Sequence, residues 1–367
     1  MNRRNFIKTS TATFLSMSAL PNLLLSGEEK HKSRSFRLLY TFDIQSDQKV
    51  FPARLWNPLP LHNMYQKVKF FKYSGNFDAS HINRKNIYDA QILYAQWHAS
   101  DTSKQLTIEM EIETLDRSVS LKKIKKASQA NLPVPEDVRL YLQPTTHIPT
   151  DGKVALKTME ITKGITDRFQ KVEAIYNWIT ETTFRDPSIV GCGVGHAGKM
   201  IESGYFGGKC TDISSLFVAF LRSAGIPARE VFGIRVGKSH FSKILGKSDK
   251  HGFADISTWQ HCRVEYYIPG AGWIPSDPAD ITKLELGEGL KYSDQRVQEL
   301  KKRYLHSWEM NWIGFNHGRD FVLYPEPEQY PLNMLGYPYG EIEDEVLDYY
   351  SPKHFSYRIT SQELGLK

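Results

Sequence analysis

The chain is poor in cysteine, with only three in 367 residues, and this excludes a disulfide-stabilised scaffold. Neither a Cys-x-x-Cys pair nor a His-Glu-x-x-His run occurs, so the usual spacings of a zinc site are missing. No basic tract with interleaved aromatics favours nucleic-acid binding, and no acidic loop has the pattern of a calcium site. The sequence therefore predicts no metal, no cofactor and no nucleic-acid partner.

The overall composition is that of a folded soluble protein. Hydrophobic residues make up 40% and charged residues 24%, which excludes a disordered or collagen-like chain. Lysine and arginine number 47 against 41 acidic residues, giving a formal net charge of +6. At about 100–200 residues per domain, the length predicts two folded domains.

The N-terminus has the pattern of an export signal. Residues 2–8 read NRRNFIK, and a weakly apolar stretch rich in Ser and Thr follows at 9–25. This resembles a twin-arginine signal, which predicts a periplasmic protein with residues 1–27 outside the fold. No Ala-x-Ala site precedes Gly27, so retention of the segment as a membrane anchor stays an alternative.

Residues 34–130 predict an antiparallel β-sandwich domain. Apolar side chains alternate with polar ones from Phe36 to Ile44 and again from Leu106 to Ile112, the period of half-buried strands. The proline-rich residues 131–150 predict a linker. Residues 331–367, rich in Pro and Tyr and without a clear period, predict a C-terminal tail that wraps over the surface.

Residues 151–330 predict a second domain of the α+β class. Apolar residues recur at helical spacing over 165–179 and more strongly over 213–224. Gly225 and Pro227 end the second helix. Strand-like runs follow at 231–236, 263–268 and from Trp273.

Three residues of this second domain predict thiol chemistry. Cys210 lies at the start of a helix, where free N–H groups and the helix dipole lower a thiol pKa. His261 opens a strand and suits the base that a thiolate needs. Asp277 lies where the next strand ends and suits the acceptor that orients the imidazole, with Asp280 as its rival. Each residue alone also has a plain structural interpretation.

These residues lie in three segments that together resemble the transglutaminase-like superfamily. The segments are GKCTDISSLFVAFLRSAGIPAR at 208–229, QHCRVEYY at 260–267 and GWIPSDP at 272–278. GRDFVLYP at 318–325 is similar to a segment that often closes the domain in bacterial members. The resemblance implies a papain-like catalytic domain, with the β-sandwich in front of it.

The resemblance also implies roles for these residues. Cys210 would be the nucleophile, His261 the base and then the acid, and Asp277 the residue that orients it. The oxyanion would be held by the Cys210 backbone N–H and one upstream donor, for which Tyr205 is our choice. Where many members have Ala-Trp after the histidine, this chain has Cys262-Arg263; we expect this departure to affect the strand faces near the base and not the triad.

The implied activity is thiol-dependent acyl transfer at amide bonds of a protein, peptide or cell-wall peptide. Hydrolysis is preferred over cross-linking to an amine, and calcium dependence and oligomeric state are left open. The alternative is an inactive transglutaminase-like binding or scaffold module. A disulfide between Cys192 and Cys262 is a further hypothesis, since an oxidising compartment would permit it.

Overall fold

The computed structural model describes residues 8–10, 33–328 and 331–365. The twin-arginine-like segment therefore lies outside the described residues, apart from the backbone of Lys8–Ser10. That backbone pairs antiparallel with residues 73–75, which departs from the expectation that residues 1–27 stand outside the fold. Among the helices of the described ranges, none is long and apolar enough to cross a membrane.

The helices and strands are numbered in chain order. The strands are β1 (Lys8–Ser10), β2 (Ser33–Ile44), β3 (Phe51–Pro58), β4 (Gln66–Gly75), β5 (Ala79–Asn83), β6 (Ile92–Ser100), β7 (Lys104–Leu115), β8 (Arg117–Ser118), β9 (Phe184–Arg185), β10 (Gly207–Gly208), β11 (Ala228–Arg235), β12 (Phe253–Asp255), β13 (Gln260–Ile268), β14 (Gly272–Ser276), β15 (Ser307–Trp308), β16 (Trp312–Asn316), β17 (Tyr339–Ile342), β18 (Glu345–Val346) and β19 (Tyr357–Leu364). The helices are α1 (Leu121–Gln129), α2 (Gly152–Ile161), α3 (Arg168–Thr182), α4 (Ala197–Ser203), α5 (Cys210–Ser223), α6 (Ala279–Glu288), α7 (Gln295–Tyr304) and α8 (Pro352–Phe355).

Two antiparallel sheets form the predicted β-rich part. One has the order β1-β4-β7-β2-β19-β12 and the other β18-β17-β3-β6-β5. The alternation read from the sequence is confirmed, because the apolar faces of β2 and β7 are buried in one core with residues of β3 and β6. A period of two places every second side chain on that inner face.

The C-terminal segment differs from the predicted surface tail. Strand β17 pairs with β3 of one sheet, and β19 pairs along its whole length with β2 of the other. Tyr357 and Ile359 are buried and Arg358 between them is exposed, so an alternating signal was present but short. The last strands of the chain thus complete the sheets that its first strands begin.

The predicted linker and the end of the predicted sandwich also contain helices. Helix α1 occupies Leu121–Gln129, and a 3₁₀ helix occupies Glu136–Leu142. The Ser120 hydroxyl accepts the Lys123 backbone N–H and caps α1, which the sequence-based interpretation missed. Ile124 anchors α1 in the core and Ala127 packs against the same cluster, so few apolar side chains mark this nine-residue helix.

The second domain is built around α5. Residues 210–222 of this helix are all buried, and α5 packs on a sheet of order β14-β13-β11-β16. Cys262 and the alternate residues after it on β13, Val264 and Tyr266, face the same core as α5. The α+β class predicted from the sequence is confirmed.

Glu265 links elements from both parts of the chain. It is 3% exposed and its carboxylate contacts Arg117 of β8 and Arg229 of β11, the latter at 2.6 Å. Burial alone would raise the pKa of Glu265, but the charges of Arg117 and Arg229 hold it well below its usual range. The two guanidiniums also stack on aromatic rings, Arg117 on Trp308 among them.

We predict that Glu265→Gln destabilises the protein by about 3 to 5 kcal/mol, because it leaves the buried guanidinium of Arg117 and the largely buried one of Arg229 without their carboxylate. Urea unfolding at pH 7 measures this change. The control Glu109→Gln removes an acid that is 42% exposed and 3.9 Å from Arg37, and we expect a change below about 0.5 kcal/mol.

The Glu265 contribution also has a defined pH dependence. A carboxyl whose folded pKa is depressed stabilises above its unfolded pKa of about 4.3, and this stability is lost as the pH falls toward the folded value. The difference between wild type and Glu265→Gln should therefore shrink below about pH 4. Equal stability of the two proteins at pH 7 would contradict this account.

Candidate active site

Cys210 is the first residue of α5, at the helix end where the sequence places it. Its N-cap is Lys209, and the helix ends before Gly225, whose φ of +76° only glycine adopts readily. The Asp212 carboxylate accepts the backbone N–H groups of Lys209 at 2.9 Å and of Gly195 at 2.8 Å. These bonds fix the loop on either side of the thiol to the first turn of α5.

The other two cysteines both contact Cys210. Hydrogen bonding with the Cys192 side chain and then with the Cys262 side chain holds the pKa of Cys210 well below its ordinary value. Each of these two thiols also has a backbone carbonyl in reach, Gln260 O at 3.2 Å from Cys192 Sγ and Cys210 O at 3.3 Å from Cys262 Sγ. A hydrogen bond and the charge of His261 act in the same direction, against the effect of burial. Cys210 is 3% exposed, so a thiolate there depends on these donors and on the helix dipole.

The structure does not support the hypothesis of a disulfide between Cys192 and Cys262. All three cysteines are free and buried. The Cys262 thiol donates to the Cys210 carbonyl at 3.3 Å, and the Tyr337 hydroxyl donates to Cys192 Sγ at 3.0 Å. Each thiol is therefore turned toward Cys210 or a polar neighbour, not toward the other.

His261 and Asp277 are brought together as the sequence predicts. The antiparallel pair β13 and β14 places the start of one strand beside the end of the other, and His261 Nε2 lies 2.8 Å from Asp277 Oδ2. Because Asp277 engages Nε2, Nδ1 is the ring nitrogen that remains for the thiol. Burial, and then the charge of Asp280, raise the pKa of Asp277, while His261 and Arg263 oppose this shift.

Asp280 is a second carboxylate beside His261, as expected for the residue that the sequence offers as the alternative to Asp277. Its Oδ1 lies 3.5 Å from His261 Nε2, and its main partner is the buried guanidinium of Arg235. Burial alone would raise the pKa of Asp280, but the charge of Arg235, with those of His261 and Arg263, holds it well below its usual value. Asp280 therefore adds fixed negative charge behind the imidazole.

Cys262 and Arg263, the two residues that depart from the family pattern, contact members of the triad, contrary to our expectation. Arg263 Nε lies 3.2 Å from Asp277 Oδ2, and Cys262 hydrogen-bonds to Cys210. Alternation along β13 explains both contacts, because neighbouring residues face the two sides of the sheet and each side holds part of the site. The pair after the histidine supports the nucleophile on one face and the carboxylate on the other.

The site also groups three side chains of the types that bind metal ions. Ligand atoms of His261, Asp277 and Asp280 lie within 4.8 Å of one another. Both carboxylates, however, already contact guanidiniums, those of Arg263 and Arg235. Such neutralised acids are poor ligands for a divalent ion, and the cluster fits an imidazole-orienting role better.

Tyr205, our choice of oxyanion donor, is corrected by the structure. Its hydroxyl donates to Asp186 Oδ2 at 2.7 Å, and its side chain is half exposed against the Phe184 ring. A proton used by a carboxylate is not available to a developing oxyanion. The backbone N–H of Cys210 remains suited, because the first N–H groups of a helix have no intrahelical acceptor.

A cysteine at a helix start, a strand histidine and a carboxylate behind it define a papain-like thiol site. Comparison with known proteins agrees with this class. Residues 157–278 match the family model of the transglutaminase-like superfamily, a range that contains Cys210, His261 and Asp277. An uncharacterised protein of Haemophilus influenzae is 40% identical over 323 residues, which cover 85% of this chain and 86% of the relative.

The chain therefore belongs to the transglutaminase-like superfamily. A solved structure of a candidate cysteine protease from Cytophaga hutchinsonii shares the fold, with a TM-score of 0.52 and 15% identity, covering 90% of this chain and 98% of that one. A shorter match, 38% identical over 71 residues, covers 19% of this chain and 9% of the uncharacterised protein YebA of Bacillus subtilis.

We predict that Cys192→Ala raises the pKa of Cys210, because it removes the largest stabilising hydrogen bond to the thiolate. The midpoint of the pH dependence of Cys210 alkylation should move up by about one to two pH units. Cys262→Ala should move it in the same direction by less. Iodoacetamide labelling followed by intact mass measures these midpoints.

Cys192→Ser is the matched control, because its hydroxyl retains a donor of similar size. We expect its midpoint to stay closer to wild type than that of Cys192→Ala. The same midpoint in wild type and both alanine variants would contradict a role for these thiols in lowering the pKa of Cys210.

Proposed function

We propose that this protein is a cysteine enzyme that hydrolyses amide bonds of proteins or peptides through a thioester acyl-enzyme. One observation carries the proposal: Cys210 begins α5 beside His261, whose Nε2 lies 2.8 Å from Asp277 Oδ2, and hydrogen bonding and charge at this site lower the pKa of the thiol. A thiolate beside an imidazole is the reactive pair of thiol acyl transfer.

The reaction follows from the placement of these groups. The Cys210 thiolate attacks the amide carbonyl carbon, and the oxygen, now negative, accepts the Cys210 backbone N–H. His261 gives its proton to the leaving nitrogen, the C–N bond breaks and a thioester remains. His261 then takes a proton from water, whose oxygen attacks the thioester and restores the thiolate.

Asp277 orients the imidazole through its contact with Nε2, which leaves Nδ1 toward the sulfur. Arg263 and Arg235 keep the two carboxylates behind the histidine in place. The low exposure of Cys210 supports water as the acceptor, because a small molecule reaches an enclosed thioester more easily than a protein lysine does.

We also propose that the protein is exported. Residues 1–27 resemble a twin-arginine signal, and this resemblance supports a periplasmic location with an N-terminal anchor as the alternative. Cell fractionation of the full chain with Arg3→Lys and Arg4→Lys together tests the route. We expect the variant to stay in the cytoplasm; an unchanged periplasmic fraction would contradict the twin-arginine assignment.

The first test of the activity is the alkylation of Cys210 by iodoacetamide as a function of pH. We expect wild type to react well below the ordinary thiol pKa of about 8.5, and His261→Ala to lose at least tenfold of that rate at pH 6. Asp277→Ala should lose less, because it disturbs the imidazole without removing it. Ordinary thiol behaviour in all three proteins would favour the scaffold function instead.

The second test separates the two fates of the thioester. A glutamine-containing peptide is incubated with enzyme and an excess of a small primary amine, and product masses are read. We expect the mass of the hydrolysed product to predominate and Cys210→Ala to give none. A product consisting of the amine adduct alone would assign the protein to cross-linking.

A further inference from the structure

Three cationic residues lie on elements that adjoin Cys210, and we call Arg185, Lys209 and Lys283 the cationic rim. Strands β9 and β10 pair in parallel with Arg185 opposite Gly208. Lys209 follows directly and is the N-cap of α5. Two rim residues are therefore fixed by backbone pairing within a few residues of Cys210.

Lys283 reaches the same place from α6. It lies three residues after Asp280, so both occupy one face of the helix, and Asp280 is 3.5 Å from His261 Nε2. Helix α6 packs against β9 and α5, which carry Arg185 and Cys210. Burial and then the charge of Arg235 lower the pKa of Lys283 to about 8, and the charges of Arg185 and Cys210 also act on it.

The rim lacks carboxylate partners of its own. Within residues 33–328 and 331–365, none of its three side chains forms an ion pair within 4.0 Å. Asp280 is paired with Arg235, and Asp212 accepts two backbone N–H groups.

One further carboxylate, Asp186, lies near enough for the charge of Lys209 to lower its pKa. Hydrogen bonds from Ser188 and Tyr205 contribute more to that shift. The rim therefore keeps an excess of positive charge beside the thiol after this acid is counted. Half-buried cations without partners are costly unless an anion neutralises them.

We propose that the cationic rim is an anion-binding subsite and that the acyl donor of this enzyme carries a carboxylate next to the amide bond that Cys210 attacks. The inference rests on the proposed function and adds a substrate class, acidic peptides, to it. The exposed rings of Phe184 and Tyr205, 5.5 Å apart, flank β9 and β10 and offer apolar contact to the same peptide.

The test compares two alkylating agents of similar size, anionic iodoacetate and neutral iodoacetamide. The rate of each reagent at Cys210 is measured by intact mass. The ratio of the iodoacetate rate to the iodoacetamide rate is then divided by the same ratio for free cysteine. We expect Lys283→Gln and Arg185→Gln each to lower the ratio by about threefold to tenfold at low salt. The ratio cancels any change in the thiolate fraction, which affects both reagents equally.

Lys72→Gln is the matched control, because it removes one exposed positive charge from β4 in the β-sandwich. Its ratio should equal that of wild type. An unchanged ratio in both rim variants overturns the anion subsite. If iodoacetamide itself reacts with Cys210 as with an ordinary thiol, the proposed function fails instead, so the two failures are distinguishable.

A peptide series then identifies the source of the carboxylate. One pair of peptides differs by Asp or Asn beside the scissile residue and has an amidated C-terminus, and the other pair differs only by a free or amidated terminal carboxyl next to the cleavage point. We expect one pair to show at least a tenfold difference in kcat/KM, and Lys283→Gln to reduce it. Equal rates within both pairs would overturn the proposal.

Discussion

The enclosure of the Cys210 thiol at the start of α5 beside His261 is the constraint on which the rest of this site depends. Burial favours the neutral thiol, and the start of α5, His261 and the thiols of Cys192 and Cys262 act against that effect. These groups come from the loop before α5, from the helix itself and from β13, so they meet at the sulfur only when all three are packed together. The surrounding architecture, with every residue of 210–222 buried, keeps that packing rigid.

The charged side chains behind His261 are likewise arranged so that each buried charge has a partner. Two buried carboxylates face the imidazole, and two buried guanidiniums face the carboxylates. With a neutral imidazole this group of four charges is balanced, and with an imidazolium it is balanced by the Cys210 thiolate. The pair of sulfur and imidazole can therefore exchange a proton without leaving an unpaired charge in the interior, which is the condition a buried acid–base pair must meet.

The two parts of the chain depend on each other. The last strands, β17 and β19, return to pair with β3 and β2, so the segment that carries α5 and β13 lies in the sequence between strands of the same sandwich. Glu265 of β13 holds Arg117 of β8 across the same boundary, on the face of the sheet opposite α5. A single strand thus contributes to the core around the helix, to the contact with Asp277 and to this ion cluster.

The sequence alone determined the class, the order of the motifs and the residues Cys210, His261 and Asp277, because each lies in a local pattern: a helix start, a strand start and a strand end. It also determined the buried faces of β2 and β7 through their period of two. The tertiary structure decided which residues distant in the sequence contact the site. Cys192 and Cys262 are far from Cys210 in sequence, and only folding brings their thiols to its sulfur. Tyr205 was misassigned because its nearness to Cys210 in the sequence does not say which group its hydroxyl contacts. The C-terminal strands were missed because a short alternating run predicts a strand only weakly, and pairing with a neighbouring strand is what stabilises it.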